Sequence, residues 1–163
     1  MNSYQYPGAG KCAVRKCNAR KCTVGWLYAV AVGHVIGALV MTWGADAIGL
    51  VPYHQQILAS FGFAPADEHA LEFQRWWMAL FGATLQAFSL LLLALIYVGD
   101  RYRNPAIWGG LVLVILWWVP QDIFISLQRD AWLHVWVDIF AAIILVVPLA
   151  WLWNLDRKLV QEQ

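Results

Sequence analysis

The chain has 163 residues, of which 61% are hydrophobic and 13% charged, against roughly 25% charged in an ordinary soluble domain. That balance excludes a water-soluble globular domain and points to a membrane protein. A formal net charge of +1 leaves no basic face for nucleic acid, and no GxGxxG, Walker A, HExxH or GxSxG pattern occurs to bind a soluble cofactor or set up hydrolysis.

Residues 1–23 are polar and carry Lys11, Arg15, Lys16, Arg20 and Lys21. They read as a solvated basic tail. Cys12, Cys17 and Cys22 are the only cysteines, and a spacing of five is not the CxxC of zinc or redox sites. Neighbouring positive charge favours the thiolate, but a basic membrane anchor accounts for the tail with fewer assumptions, and no metal site or cofactor is expected.

Residues 24–44 supply the first span, since about 20 apolar residues cross a bilayer as a helix. Within it Ala29, Gly33 and Gly37 recur every fourth residue, a pattern that lets a second backbone approach closely, in a homo-oligomer or with a membrane-protein partner. His34 lies near mid-span. A cleavable signal peptide ending near Ala47 is the rival reading, but the apolar run exceeds the usual 7–15 residues of such a segment.

Residues 45–75 form a connection on the outer side, long by the standard of compact domains. Its stretch HQQILASFGF, 54–63, is expected as a short helix with Ile57, Leu58 and Phe61 toward the membrane surface. The second span covers 76–98, with Gln86 at a depth similar to that of His34. A His34–Gln86 hydrogen bond inside the membrane is therefore expected. The third span, 106–127, contains Pro120, which removes one backbone donor and is expected to kink the helix. The fourth covers 132–153, and the remaining residues to 163 read as a short charged tail. The sum is an all-α four-helix membrane bundle.

Nine of the eleven Lys and Arg lie in the N-terminal tail, the 99–105 turn and the C-terminal tail. The bias of basic residues toward the cytoplasm then places both termini inside. Structural disulfides are not expected in that compartment.

The polar residues gather around the third turn. About a hairpin tip at Asp130, Ser126 and His134 lie four residues to either side and Asp122 and Asp138 eight, with Gln121 beside Asp122. Each pair of the same helix is spaced i, i+4 and shares a face. Turning a carboxylate to lipid is costly, so Asp122 and Asp138 should face each other across the two helices, with His134, Ser126, Gln128, Arg129, Asp46 and Arg75 near them. One reading is a polar pocket able to share a proton or hold a cationic ligand. The other, which we prefer on sequence alone, is a hydrogen-bonded knot that fixes helix register.

The segments RWWMALFGATLQ, VGDR and VPQDIFISLQ resemble a family of small bacterial four-helix membrane proteins related to the BphX-like group, some of which carry the label "cell division protein". That resemblance covers 24–157 and implies a non-enzymatic accessory protein of the envelope, with no catalytic residues to carry over. The architecture is also similar to that of the emopamil-binding, sterol-isomerase-like superfamily, which implies a ligand-binding or isomerase-like alternative using Asp122 and Asp138. The His-and-Glu signature of that superfamily has no counterpart, because no span contains Glu. A transporter or channel is less well supported, for four spans without an inverted repeat would have to oligomerise.

Overall fold

A computed structural model describes residues 9–64 and 67–161, with side-chain surroundings given from Asn18 onward. Five α-helices follow in order: α1 (Ala9–Trp43), α2 (Val51–Ser60), α3 (Glu68–Tyr102), α4 (Pro105–Leu127) and α5 (Trp132–Gln161). Four of them, all but α2, are long and apolar enough to cross a membrane, and the described residues contain no strand. α1 packs chiefly on α3 and α4 chiefly on α5, giving two antiparallel pairs that meet along the core.

The helix ends follow local chemistry. Asp67 caps α3 by accepting from the Ala70 amide at 3.0 Å, and Asn104 caps α4 by accepting from the Ala106 amide at 3.0 Å, with Pro105 in the first turn where its missing donor is no loss. Both tight connections use a left-handed residue, Arg103 (φ 48°) after α3 and Asp130 (φ 52°) after α4. At the latter the Ala131 amide returns to the Ser126 carbonyl at 3.0 Å, which closes the α4–α5 tip.

The apolar core lies toward the end of the bundle away from that tip, where Leu27, Ala31, Leu92, Ile96, Trp108, Ile115, Leu149 and Leu152 pack together. Large apolar side chains such as Leu91, Leu113, Phe124, Phe140 and Ile143 point outward, as a surface bathed in lipid requires. α1 and α3 approach most closely at Gly82: a Cβ there would meet the Thr42 amide nitrogen at 2.8 Å and the Ala38 carbonyl oxygen at 2.9 Å.

Both tails are helical where they are described, and residues 157–161 are exposed. α1 is helical back to Ala9 and α5 continues to Gln161, because a charged cluster holds the four long helices together there. Arg20 of α1, 7% exposed, donates through Nε to Asp156 Oδ1 and through a terminal nitrogen to Asp156 Oδ2, both at 3.1 Å. Its other terminal nitrogen pairs with Asp100 of α3. Trp108 of α4 donates its indole N–H to Asp156 Oδ2 at 2.9 Å, and Asp156 of α5 is wholly buried. The bidentate fork on a carboxylate is the strong form of ion pair. From Arg20 to Trp43 the helix rises about 35 Å, more than the roughly 30 Å of bilayer hydrocarbon, so this clasp sits beyond the apolar layer. Of the tail residues named above, Lys11, Cys12, Arg15, Lys16 and Cys17 lie outside those whose side chains are described, whereas Cys22 is exposed and free.

The short helix in the long connection forms at 51–60 rather than 54–63, starting with Pro52 in its first turn. Leu58 is buried, but Phe61 lies past the helix end and is exposed. The interior carries different polar pairs from the one expected. His34 donates from Nδ1 to the Val30 carbonyl at 2.8 Å, and Gln86 donates instead to Thr42 Oγ1 at 2.7 Å. A mid-helix imidazole satisfies itself on the carbonyl one turn back, which leaves Gln86 to the α1 residue at its own level.

Two outcomes test this packing in detergent. Gly82→Ala should cost about 1–3 kcal/mol by overpacking, whereas Gly33→Ala, with nothing within 4 Å of its added Cβ, should change stability by less than about 0.5 kcal/mol. Arg20→Ala should cost about 3–5 kcal/mol by stranding Asp156, and Arg20→Met with Asp156→Leu should recover most of that loss. Thermal unfolding of the purified variants checks both.

Candidate functional site

At the end of the bundle opposite the clasp, Asp122 of α4 and His134 and Asp138 of α5 come together. One ligand-capable atom of each lies within 4.8 Å of those of the other two. The cause is the helical repeat: His134 and Asp138 are one turn apart on one face of α5, and the antiparallel tip at Asp130 brings Asp122 to their level. One turn nearer the tip Ser126 is buried and its Oγ is 2.9 Å from His134 Nδ1, which fixes the imidazole.

Asp138 is 3% exposed, and its Oδ2 is buried without a hydrogen-bond partner. Among the described residues no Lys or Arg reaches either carboxylate. The two arginines that the sequence offered are engaged elsewhere: the half-buried Arg75 has its Nε 3.1 Å from Oδ1 of the exposed Asp46, and Arg129 stacks over Phe61 at 4.8 Å from the ring centroid. Gln121 also stands apart from the cluster, exposed and donating to the Trp117 carbonyl at 2.7 Å.

α2 lies against this region and brings two residues that the sequence did not single out. His54, 1% exposed, donates from Nε2 to the Ala45 carbonyl at 2.9 Å, which pins the helix to the connection before it. That assignment leaves Nδ1 as a buried acceptor without a partner. Tyr53 is packed beside it, edge to face at 5.8 Å. Burial, and then the negative field of Asp122 and Asp138, push the Tyr53 phenol above its ordinary value of 10.0. The phenol therefore stays neutral below that value in both folded and unfolded chains. The penalty on folding appears only as pH rises above 10.0.

The Ser126–His134–Asp arrangement has the residue types of a nucleophilic triad but lacks its setting. Ser126 is buried in the last turn of α4, where amides are committed to backbone carbonyls, so no free N–H pair remains to hold an oxyanion. Two cavities open elsewhere in the bundle. One of about 200 Å³ is lined by His34, Phe81, Phe88 and Trp118, and a shallow apolar groove of about 700 Å³ runs along Trp26, Ile144 and Trp151. Neither has Asp122 or Asp138 on its wall. What the cluster offers is two carboxylates and an imidazole in close register, a site for a proton or a cation.

Comparison of the chain with family models, with curated proteins and with solved structures gives no match.

Sharing one site, Asp122 and Asp138 should be energetically coupled. In detergent, the stability effects of Asp122→Asn and Asp138→Asn should depart from additivity by about 0.5–3 kcal/mol, and additivity to within about 0.3 kcal/mol would show two separate contacts.

Proposed function

We propose that this chain is a small non-enzymatic accessory protein of a bacterial inner membrane, with both termini cytoplasmic, which works by lateral contact with a second copy of itself. The observation that carries this is the outward face of α1. Gly25, Ala29, Gly33 and Gly37 stand one turn apart and are exposed, and a Cβ added at any of the three glycines would meet nothing within 4 Å. The close approach that α1 makes inside the bundle uses a different face, at Ala38 and Thr42 against Gly82. A flat ridge of small residues left toward lipid is the surface on which membrane helices associate by backbone packing. Three further points support the reading: the nine-to-two division of basic residues, the absence of an oxyanion setting at Ser126, and the resemblance to the BphX-like group.

A second reading, a ligand-binding protein, is favoured by one observation, the unpartnered buried Oδ2 of Asp138. An isomerase-like enzyme is less well supported, since the cavities described above do not reach either carboxylate.

The test has two parts. Reporter fusions after Gln163 and within 99–105 should report cytoplasm and one within 55–70 the outside; a periplasmic C-terminus would contradict the orientation. Co-purification of two differently tagged copies should fall at least several-fold in Gly33→Ile with Gly37→Ile, while Leu113→Ile on another outward face leaves it unchanged. Equal recovery in both would remove the α1 interface.

A further inference from the structure

We propose that Asp122, His134 and Asp138 bind one divalent transition-metal ion of the zinc class, with Ser126 as the residue that orients the imidazole. The inference rests on the cluster alone and is independent of self-association through α1.

Charge is the first argument. Two carboxylates approach each other in a largely apolar bundle, and Arg75 and Arg129 are both occupied by other partners. Isolated buried charge is costly enough that such groups pair or coordinate metal. A divalent cation would neutralise both carboxylates at once. The second argument is the unpartnered oxygen: Asp138 Oδ2 is buried, lacks any hydrogen bond and belongs to a side chain drawn into the cluster. Buried polar atoms in native proteins are nearly always satisfied, and coordination supplies the missing partner.

The donor set then selects the ion. One imidazole and two carboxylates suit zinc and its first-row neighbours. Calcium takes six to eight oxygen ligands, more than this cluster presents, and copper(I) prefers sulfur donors, which it lacks. Around a tetrahedral zinc with bonds near 2.1 Å, ligand atoms stand about 3.4 Å apart. The three atoms, within 4.8 Å of one another, would have to close by at most about 1.4 Å on capture, a movement within reach of side-chain rotation. Three protein ligands would leave at least one position for water or an external ligand. With Nδ1 held by Ser126 Oγ at 2.9 Å, Nε2 would be the nitrogen that binds the ion, and an outer hydrogen bond of this kind orients a metal-bound histidine.

The decisive experiment titrates the full chain with cobalt(II) and then zinc(II) after chelator treatment, using a purification tag without histidine. The same titration is run on the Cys12→Ser, Cys17→Ser, Cys22→Ser chain. One cobalt per chain is expected, with a visible absorption lacking a sulfur-to-cobalt charge-transfer band, retained in the cysteine-free chain and displaced by zinc but not by equal calcium or magnesium. Ser126→Ala should weaken binding about 10- to 100-fold, and Asp138→Asn by more. Absence of binding to folded wild-type protein, loss of binding with the three cysteines, or undiminished binding in Asp138→Asn would overturn the site. Should Asp138→Asn fail to fold, the stoichiometry and spectrum of the two unsubstituted-cluster chains still decide the matter. A negative result would leave co-purification through α1 unaffected, so the two proposals fail separately.

Discussion

The Arg20–Asp156 pair is the contact on which the arrangement of the long helices depends. Asp156 is wholly buried, and a carboxylate so placed is tolerated only with matched donors. It receives both arms of Arg20 and the indole of Trp108, while Arg20 also holds Asp100. One guanidinium thereby fixes α1 against α3 and α5, and one carboxylate fixes α5 against α4. The apolar core from Leu27 to Leu152 lies immediately beside this clasp. The helices are thus set in register at one end by charge and along that half by packing.

At the other end the same physical cost is met differently. Ligand atoms of Asp122, His134 and Asp138 lie within 4.8 Å of one another, and their companion is Ser126, bonded to His134, rather than an arginine. The contrast gives the two clusters different roles. The first is closed, with its carboxylate enclosed by fixed donors. The second retains an oxygen without a partner.

The four long helices and the meeting of Asp122, Ser126, His134 and Asp138 were legible because both depend on short-range regularities. Apolar runs of the right length mark spans, and i, i+4 spacing about a left-handed turn at Asp130 aligns polar residues on facing helices. The clasp was not legible, since Arg20 and Asp156 are 136 residues apart and each stands in a polar flank that reads as tail. A Trp one turn inside α4 and an Asp one turn inside the end of α3 were the available signals, and neither specifies a partner. His34 and Gln86 were matched by depth alone, which ignores rotation about the helix axis: the imidazole turned to its own backbone and Gln86 to Thr42. His54 was hidden for a similar reason, because its burial comes from how α2 folds back rather than from any periodicity.

Infrared difference spectroscopy on protein carrying labelled aspartate separates a cluster balanced by a metal cation from one balanced by a shared proton. Comparison with Asp122→Asn and Asp138→Asn assigns the bands. A metal-held cluster predicts no protonated-carboxyl band from Asp122 or Asp138 in zinc-loaded protein, and the appearance of one when the ion is removed by chelation. A protonated-carboxyl band present in the zinc-treated protein and indifferent to chelator would contradict it.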